Sequence, residues 1–199
     1  MHSRDRLIVF LHGIGASGAQ LMPLSNAWRS SFPNARFAAP DAPLHHWRGH
    51  QWFLIEGDPL DPARIRAARK TFDDLMTDVV HREGFNEAHH RVAFVGVSQG
   101  AIVALDAIAS GRWQIGALVS FAGLLAPQQV SPLSKTTQVL LVHGQADTII
   151  PAADSMMAAS QFQAAGFEVE LDVEPGVGHT ISSSGADRAR AFLRRSLIS

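Results

Sequence analysis

Short apolar runs rich in β-branched residues recur along the chain: Leu7 to Leu11, Ala35 to Ala39, Val92 to Val97, Ala117 to Phe121, Val139 to His143 and Glu168 to Val173. Each has the length of a strand, and their continuous rather than alternating hydrophobicity fits strands covered on both faces. Helical patterns lie between them. Asp61-Pro62 offers an N-cap acceptor followed by a proline at the first helical position, and Ile65, Ala68, Phe72, Leu75, Met76 and Val79 then trace one apolar face. A second helix is predicted from Pro151 through Met156, Met157 and Phe162 to a left-handed stop at Gly166. Ser184-x-x-Asp187 predicts the cap of a last helix, from about Ala186 to Leu197. This alternation predicts an α/β fold: a compact, mostly parallel, doubly wound sheet of about six or seven strands with helices on both faces. Chemistry in such sheets collects at the carboxyl ends of the strands.

One segment breaks the pattern. Residues 40–62 combine Pro40, Pro43 and Pro59 with Gly49, Gly57, His45-His46 and the aromatic residues Trp47, Trp52 and Phe53. No single regular element accommodates that mixture, and long loops inside compact domains are often functional. The segment is expected to border the active site, its aromatic side chains either lining a substrate pocket or closing a small core beneath the loop.

Composition narrows the class. A chain of 199 residues without repeat or linker reads as one domain spanning 1–199, large enough for a sizeable core. A formal net charge of −1 gives no electrostatic footprint for nucleic acid or an anionic membrane surface. Arg188, Arg190, Arg194 and Arg195 read as the solvated face of the last helix. The apolar runs are too short to span a bilayer, so no stable membrane association is expected. Met1-His2-Ser3-Arg4-Asp5-Arg6 leads straight into the first strand, leaving no room for an export signal, and a cytoplasmic location is expected. The absence of cysteine removes disulfides and thiol nucleophiles. The 10 histidines include no H-E-x-x-H helix, and neither a metal nor another cofactor is expected.

Gly96-Val97-Ser98-Gln99-Gly100 sits between the strand ending at Val97 and the helical run Ala101-Ile102-Val103-Ala104-Leu105. A serine on such a strand-to-helix elbow is held in a strained turn that exposes its hydroxyl at the sheet edge. The hydroxyl needs a base, and the base needs a group to fix its tautomer. Asp147 follows the strand Val139 to His143, and His179 lies in the glycine-rich loop Gly176-Val177-Gly178 after the last strand. The order Ser98, Asp147, His179 is that of α/β-hydrolases. An oxyanion hole is expected from two backbone amides, that of Gln99 at the start of the helix and that of Ile14 in Leu11-His12-Gly13-Ile14-Gly15. His12 and His143, each ending a strand before a glycine, read as supports for turns near the site.

Taken together, Phe10-Leu11-His12-Gly13-Ile14-Gly15, Pro40-Asp41-Ala42-Pro43, Trp52-Phe53, Gly96-Val97-Ser98-Gln99-Gly100, His143-Gly144-Gln145-Ala146-Asp147 and Gly178-His179 resemble the phospholipase/carboxylesterase family of small α/β-hydrolases. The resemblance implies Ser98 as nucleophile, His179 as base, Asp147 as its orienter, and the amides of Ile14 and Gln99 as oxyanion donors. It also implies that Trp52 and Phe53 border the acyl-binding region. The expected activity is hydrolysis of small-molecule carboxylic esters of short to medium acyl chains through an acyl-enzyme. The alternatives are acyl thioesterase or lysophospholipase activity on the same residues, and a ligand-binding scaffold without turnover. Loop aromatics meeting across an interface would allow a homodimer.

Overall fold

The computed structural model describes residues 5–55 and 61–198. The chain start read for an export signal (residues 1–4) and the 56–60 stretch of the loop segment lie outside them. Six parallel strands form one sheet: β1 (Arg6–Leu11), β2 (Ala35–Ala38), β5 (Val92–Val97), β6 (Ala117–Phe121), β7 (Gln138–Gly144) and β8 (Val169–Glu174), in the order β2-β1-β5-β6-β7-β8. A separate antiparallel hairpin, β3 (Leu44–His46) and β4 (Gly49–Gln51), occupies part of the segment expected to be a loop. Its strands are too short to carry an alternation of their own. The hairpin is anchored instead by a bridge between His50 and Ala16, with Gly15 N donating to His50 O at 2.8 Å and His50 N to Ala16 O at 2.9 Å.

The continuous apolar strands are explained by the two layers that cover them. Alternate residues of β1 separate: Leu7, Val9 and Leu11 join one core, and Ile8 and Phe10 the other. The first core is closed by α2 (Pro62–Arg82), α3 (Gln99–Ala109) and α4 (Ala152–Ala164), the second by α1 (Met22–Trp28) and α5 (Ser183–Ile198). Each large apolar side chain removed from water contributes about 2 kcal/mol. In α2 the Asp61 carboxylate accepts from Ala63 N at 2.8 Å, and Ile65, Ala68, Phe72, Met76 and Val79 are buried on the face read from their spacing. Every residue of α3 is buried, Asp106 included, because this helix lies between the sheet and α2. Asp106 is offset by charge-assisted hydrogen bonds from Arg69 at 2.8 and 2.9 Å and from Arg112 at 2.9 Å.

Helix α5 begins earlier than the Ser184 pattern predicts. The capping oxygen is Ser182 Oγ, which accepts from Gly185 N at 2.8 Å while donating to Glu174 at 2.6 Å. A carboxylate at the end of β8 therefore sets where the helix starts. Arg188 and Arg195 from α5 lie within 3.1 and 2.8 Å of Glu170 on the edge strand β8. Among the described residues no helix is long and apolar enough to cross a membrane.

Candidate active site

Strand β5 ends against the start of α3 with no room between them. A Cβ at Gly96 would lie 2.5 Å from Ala101 Cα, and one at Gly100 would lie 2.2 Å from the Leu11 carbonyl oxygen. Both glycines are thus required by close backbone approach. Between them Ser98 adopts φ 51° and ψ −118°, a conformation that L residues rarely occupy. The strain is held from both sides: Ser98 N donates to Phe121 O at 2.9 Å, and Ser98 O accepts the first bond of α3 from Ile102 N at 3.0 Å.

Two loops at the same sheet edge complete the arrangement. Gly144 allows the β7 loop to press on the loop after β8, since a Cβ there would lie 2.2 Å from Val177 O. The loops are laced together by Gln145 N to Glu174 O and Ala146 N to Val177 O, both 2.8 Å. This lacing sets Asp147 beside His179. The His179 Nδ1 lies 2.6 Å from Asp147 Oδ2, and its Nε2 lies 2.9 Å from Ser98 Oγ. With the carboxylate accepting at Nδ1, the imidazole carries its proton there and turns a bare Nε2 toward the serine hydroxyl.

Asp147 is built to stay charged. Its side chain is fully buried, which by itself would raise the carboxyl pKa. The amides of Ile150 at 3.0 Å and Ile149 at 2.8 Å, both on Oδ1, together with His179 on Oδ2, outweigh that penalty and hold the carboxyl below its ordinary range. His143 also reaches Oδ2, at 3.2 Å.

The β1 turn closes the opposite side. Gly13 packs on Ser98, with a Cβ there 3.4 Å from the serine Cβ, and Ile14 lines the same open hollow of about 570 Å³ as Ser98, His179 and Leu21. The turn is fixed by His12, which is buried. Its Nε2 accepts from Ala42 N at 2.9 Å, so the proton sits on Nδ1 and is donated to Gly13 O at 2.7 Å. Burial pushes the His12 pKa down, with only partial offset from the Gly13 bond. The Gln99 side chain ties the elbow to the 40–62 segment, accepting from Trp52 N at 2.6 Å and donating to Phe53 O at 2.8 Å.

The three loop aromatics lie outside the hollow at Ser98. Trp52 and Phe53 are 1% and 3% exposed and border a separate recess of about 410 Å³ beside Leu54 and Ala68 of α2. Trp52 serves as a brace, its indole N–H donating to His12 O at 2.9 Å. Of the two roles expected for the loop aromatics, pocket wall and small core, Trp52 and Phe53 take the second: both rings join the core. Trp47 at the hairpin tip is 81% exposed and borders an adjoining hollow that shares Ile14, Ala16 and Gln20 with the first. The roles of the Gln99 side chain and of Trp52 escape sequence reading because their partners lie 40 or more residues away.

Relatives agree with this architecture. The chain is 27% identical to the esterase YpfH of Escherichia coli K12 over 194 residues, 96% of this chain and 82% of that protein. It is 25% identical to acyl-protein thioesterase 1 of Gibberella zeae, covering 96% and 90%. The crystal structure of esterase PE8 is 33% identical and superposes with a TM-score of 0.83 over 96% of this chain and 93% of that one. A sequence profile of the phospholipase/carboxylesterase family matches residues 2–197, and the chain belongs to that family.

Proposed function

We propose that this member of the family hydrolyses carboxylic esters of short to medium acyl chains through an acyl-enzyme, with Ser98, His179 and Asp147 as its catalytic triad. The observation that carries the reading is the unbroken path from the Ser98 hydroxyl through His179 to the Asp147 carboxylate, 2.9 and then 2.6 Å. Ser98 Oγ adds to the ester carbonyl as its proton passes to His179 Nε2, and Asp147 stabilises the imidazolium that forms. The amides of Gln99 and Ile14 receive the developing oxyanion, each contributing roughly 3 to 4 kcal/mol. His179 then protonates the departing alcohol, takes a proton from water, and the resulting hydroxide equivalent releases the acid from Ser98. The open hollow at Ser98 accommodates a small acyl group without deep burial. The likeness to a protein named acyl-protein thioesterase 1 favours thioesters as a second substrate class.

Labelling with a fluorophosphonate probe tests the assignment. An adduct on Ser98, abolished in Ser98→Ala, is expected; a folded wild-type protein that takes no label would overturn it in favour of a scaffold that only binds. Turnover of a matched oxygen ester, thioester and lysophospholipid then ranks the substrate classes.

A further inference from the structure

Asp147 Oδ2 stands between two imidazoles. One is His179; the other is His143, the penultimate residue of β7, whose Nε2 lies 3.2 Å from that oxygen and 2.9 Å from the Ile150 carbonyl. Both neighbours of Nε2 are acceptors only, so the proton of this ring resides on Nε2. The other ring nitrogen, Nδ1, lies 2.7 Å from Ser155 Oγ in α4, and that hydroxyl lies 3.1 Å from the Gly123 carbonyl oxygen. His143 and Ser155 are buried, and His143 has no exposed side-chain surface. A line of polar contacts therefore runs inward from the triad acid, through His143 and Ser155, to the loop after β6.

We propose that His143 is a positioning residue for the triad: its Nε2–H, donated to the Ile150 carbonyl and lying against Asp147 Oδ2, holds the turn whose amides seat that carboxylate in line with His179 Nδ1, and Ser155 fixes the rotation of the His143 ring. The inference rests on the triad reading above. A carboxylate held only by the two amides on Oδ1 can swing Oδ2 about that anchored atom. The His143 ring, tied to Ile150 O and packed 3.2 Å from the far side of Oδ2, narrows that freedom and fixes the residue whose amide anchors Oδ1. The geometry also explains why an imidazole rather than an apolar side chain fills this buried position of β7 just before the turn. A phenylalanine would occupy similar volume yet offer Oδ2 and the Ile150 carbonyl nothing. Glutamine retains an N–H₂ group that can reach toward the Nε2 position. The interaction acts on the orientation of His179, so its loss is felt in the acylation step rather than in substrate binding.

The test compares His143→Phe, His143→Gln and Ser155→Ala with the wild-type enzyme by fluorophosphonate labelling rate, ester kinetics and the downfield imidazole proton resonance of the His179–Asp147 pair. For His143→Phe, kcat and the labelling rate are expected to fall about tenfold to a hundredfold, as for the loss of one buried hydrogen bond that orients the reacting groups. KM is expected to be unchanged, and the downfield resonance to broaden or shift. His143→Gln should recover most of the rate, and Ser155→Ala should lose several-fold. Wild-type rates and an unmoved resonance in His143→Phe would overturn the role of His143 while leaving Ser98 labelling intact. Absence of label on the wild-type enzyme would instead overturn the triad. If His143→Phe does not fold, the folded Ser155→Ala variant decides: a several-fold loss of kcat with a shifted resonance is expected, and an unaltered kcat and resonance would overturn the proposal, because a ring free to rotate would then seat Asp147 equally well.

Discussion

The side chain of Gln99 offers the sharpest check on how the elbow is held. It bridges Trp52 N and Phe53 O at 2.6 and 2.8 Å, and it is itself only 3% exposed. Gln99→Ala would keep the backbone amide assigned to the oxyanion hole but leave a buried donor and a buried acceptor unpaired. Each such group costs about 1 to 3 kcal/mol, and the vacated volume adds a smaller cavity term. The total is about 2 to 6 kcal/mol, which for a domain of this size lowers Tm by roughly 5 to 20 °C. Activity should fall by an indirect route. Releasing residues 52 and 53 loosens the indole bond to His12 O, and with it the turn that carries the Ile14 amide. A loss of about tenfold in kcat/KM is expected well below the new melting point, the effect of slightly misplacing one oxyanion donor. Gln99→Glu is the informative companion. It can still accept from Trp52 N but sets a buried carboxylate against Phe53 O, so at neutral pH its Tm should fall at least as far as that of Gln99→Ala. Differential scanning calorimetry and ester kinetics read both quantities. An alanine variant melting within about 2 °C of the parent, with unchanged kcat/KM, would refute the claim that this side chain holds the segment.

Two further expectations follow from the same contacts. Gly100→Ala drives a Cβ to within 2.2 Å of Leu11 O and 2.6 Å of His12 O, both backbone atoms, so strand and helix must part. A loss of about 3 kcal/mol or more is expected. Gly166→Ala, at φ +89° with nothing within 4 Å of its Cβ, should lose only about 1 kcal/mol from backbone strain. Urea midpoints rank the two, and equal losses would contradict the close-approach explanation. Stability should also fall on acidification in two windows. His12 and Asp147 both have folded pKa values below their ordinary ones, so the unfolded chain binds protons first and stability rises with pH. The His12 contribution is complete above about pH 6.5 and is lost as pH falls from there through its folded pKa. The Asp147 contribution is complete above about pH 3.9 and is lost below it. Urea unfolding across pH should lose the lower window in Asp147→Asn, and a retained slope there would exclude this carboxyl as its source.

Much of this molecule is legible in local pattern because the four inner strands of the sheet are buried on both faces. Strand-length runs mark all six strands of the main sheet to within a residue or two at each end, continuous and apolar in the four inner strands and interrupted by Arg36 in β2 and by Glu170 and Asp172 in β8. The elbow is legible for a related reason: Gly96 and Gly100 report a backbone approach that the strand and helix patterns on either side already imply. What local pattern does not carry is a feature set by a distant partner. The β3–β4 hairpin owes its position to pairing with Ala16 rather than to its own alternation. Ser182 rather than Ser184 caps α5 because Glu174, on the preceding strand, holds it. Asp106 sits in an otherwise apolar helix whose sequence gives no hint of Arg69, 37 residues earlier.

The division has a consequence for the chemistry. Ser98, Asp147 and His179 each follow a parallel strand, so the fold itself brings them to one edge, and the order of strands is enough to name them. Reactivity depends on finer matters: which nitrogen of His179 is bare, where Oδ2 of Asp147 points, and how the Ile14 amide is aimed. Those rest on Gln99, His12 and Trp52, whose hydrogen bonds cross between segments far apart in the chain, and on the proposed support from His143, bonded within the turn and helix that follow it. A hydrolase scaffold can therefore keep its three reactive residues and still lose turnover if these cross-links are broken. Conserving the serine, acid and base alone is a weaker warrant for activity than finding the bonded supports in place beside them, as they are in this chain.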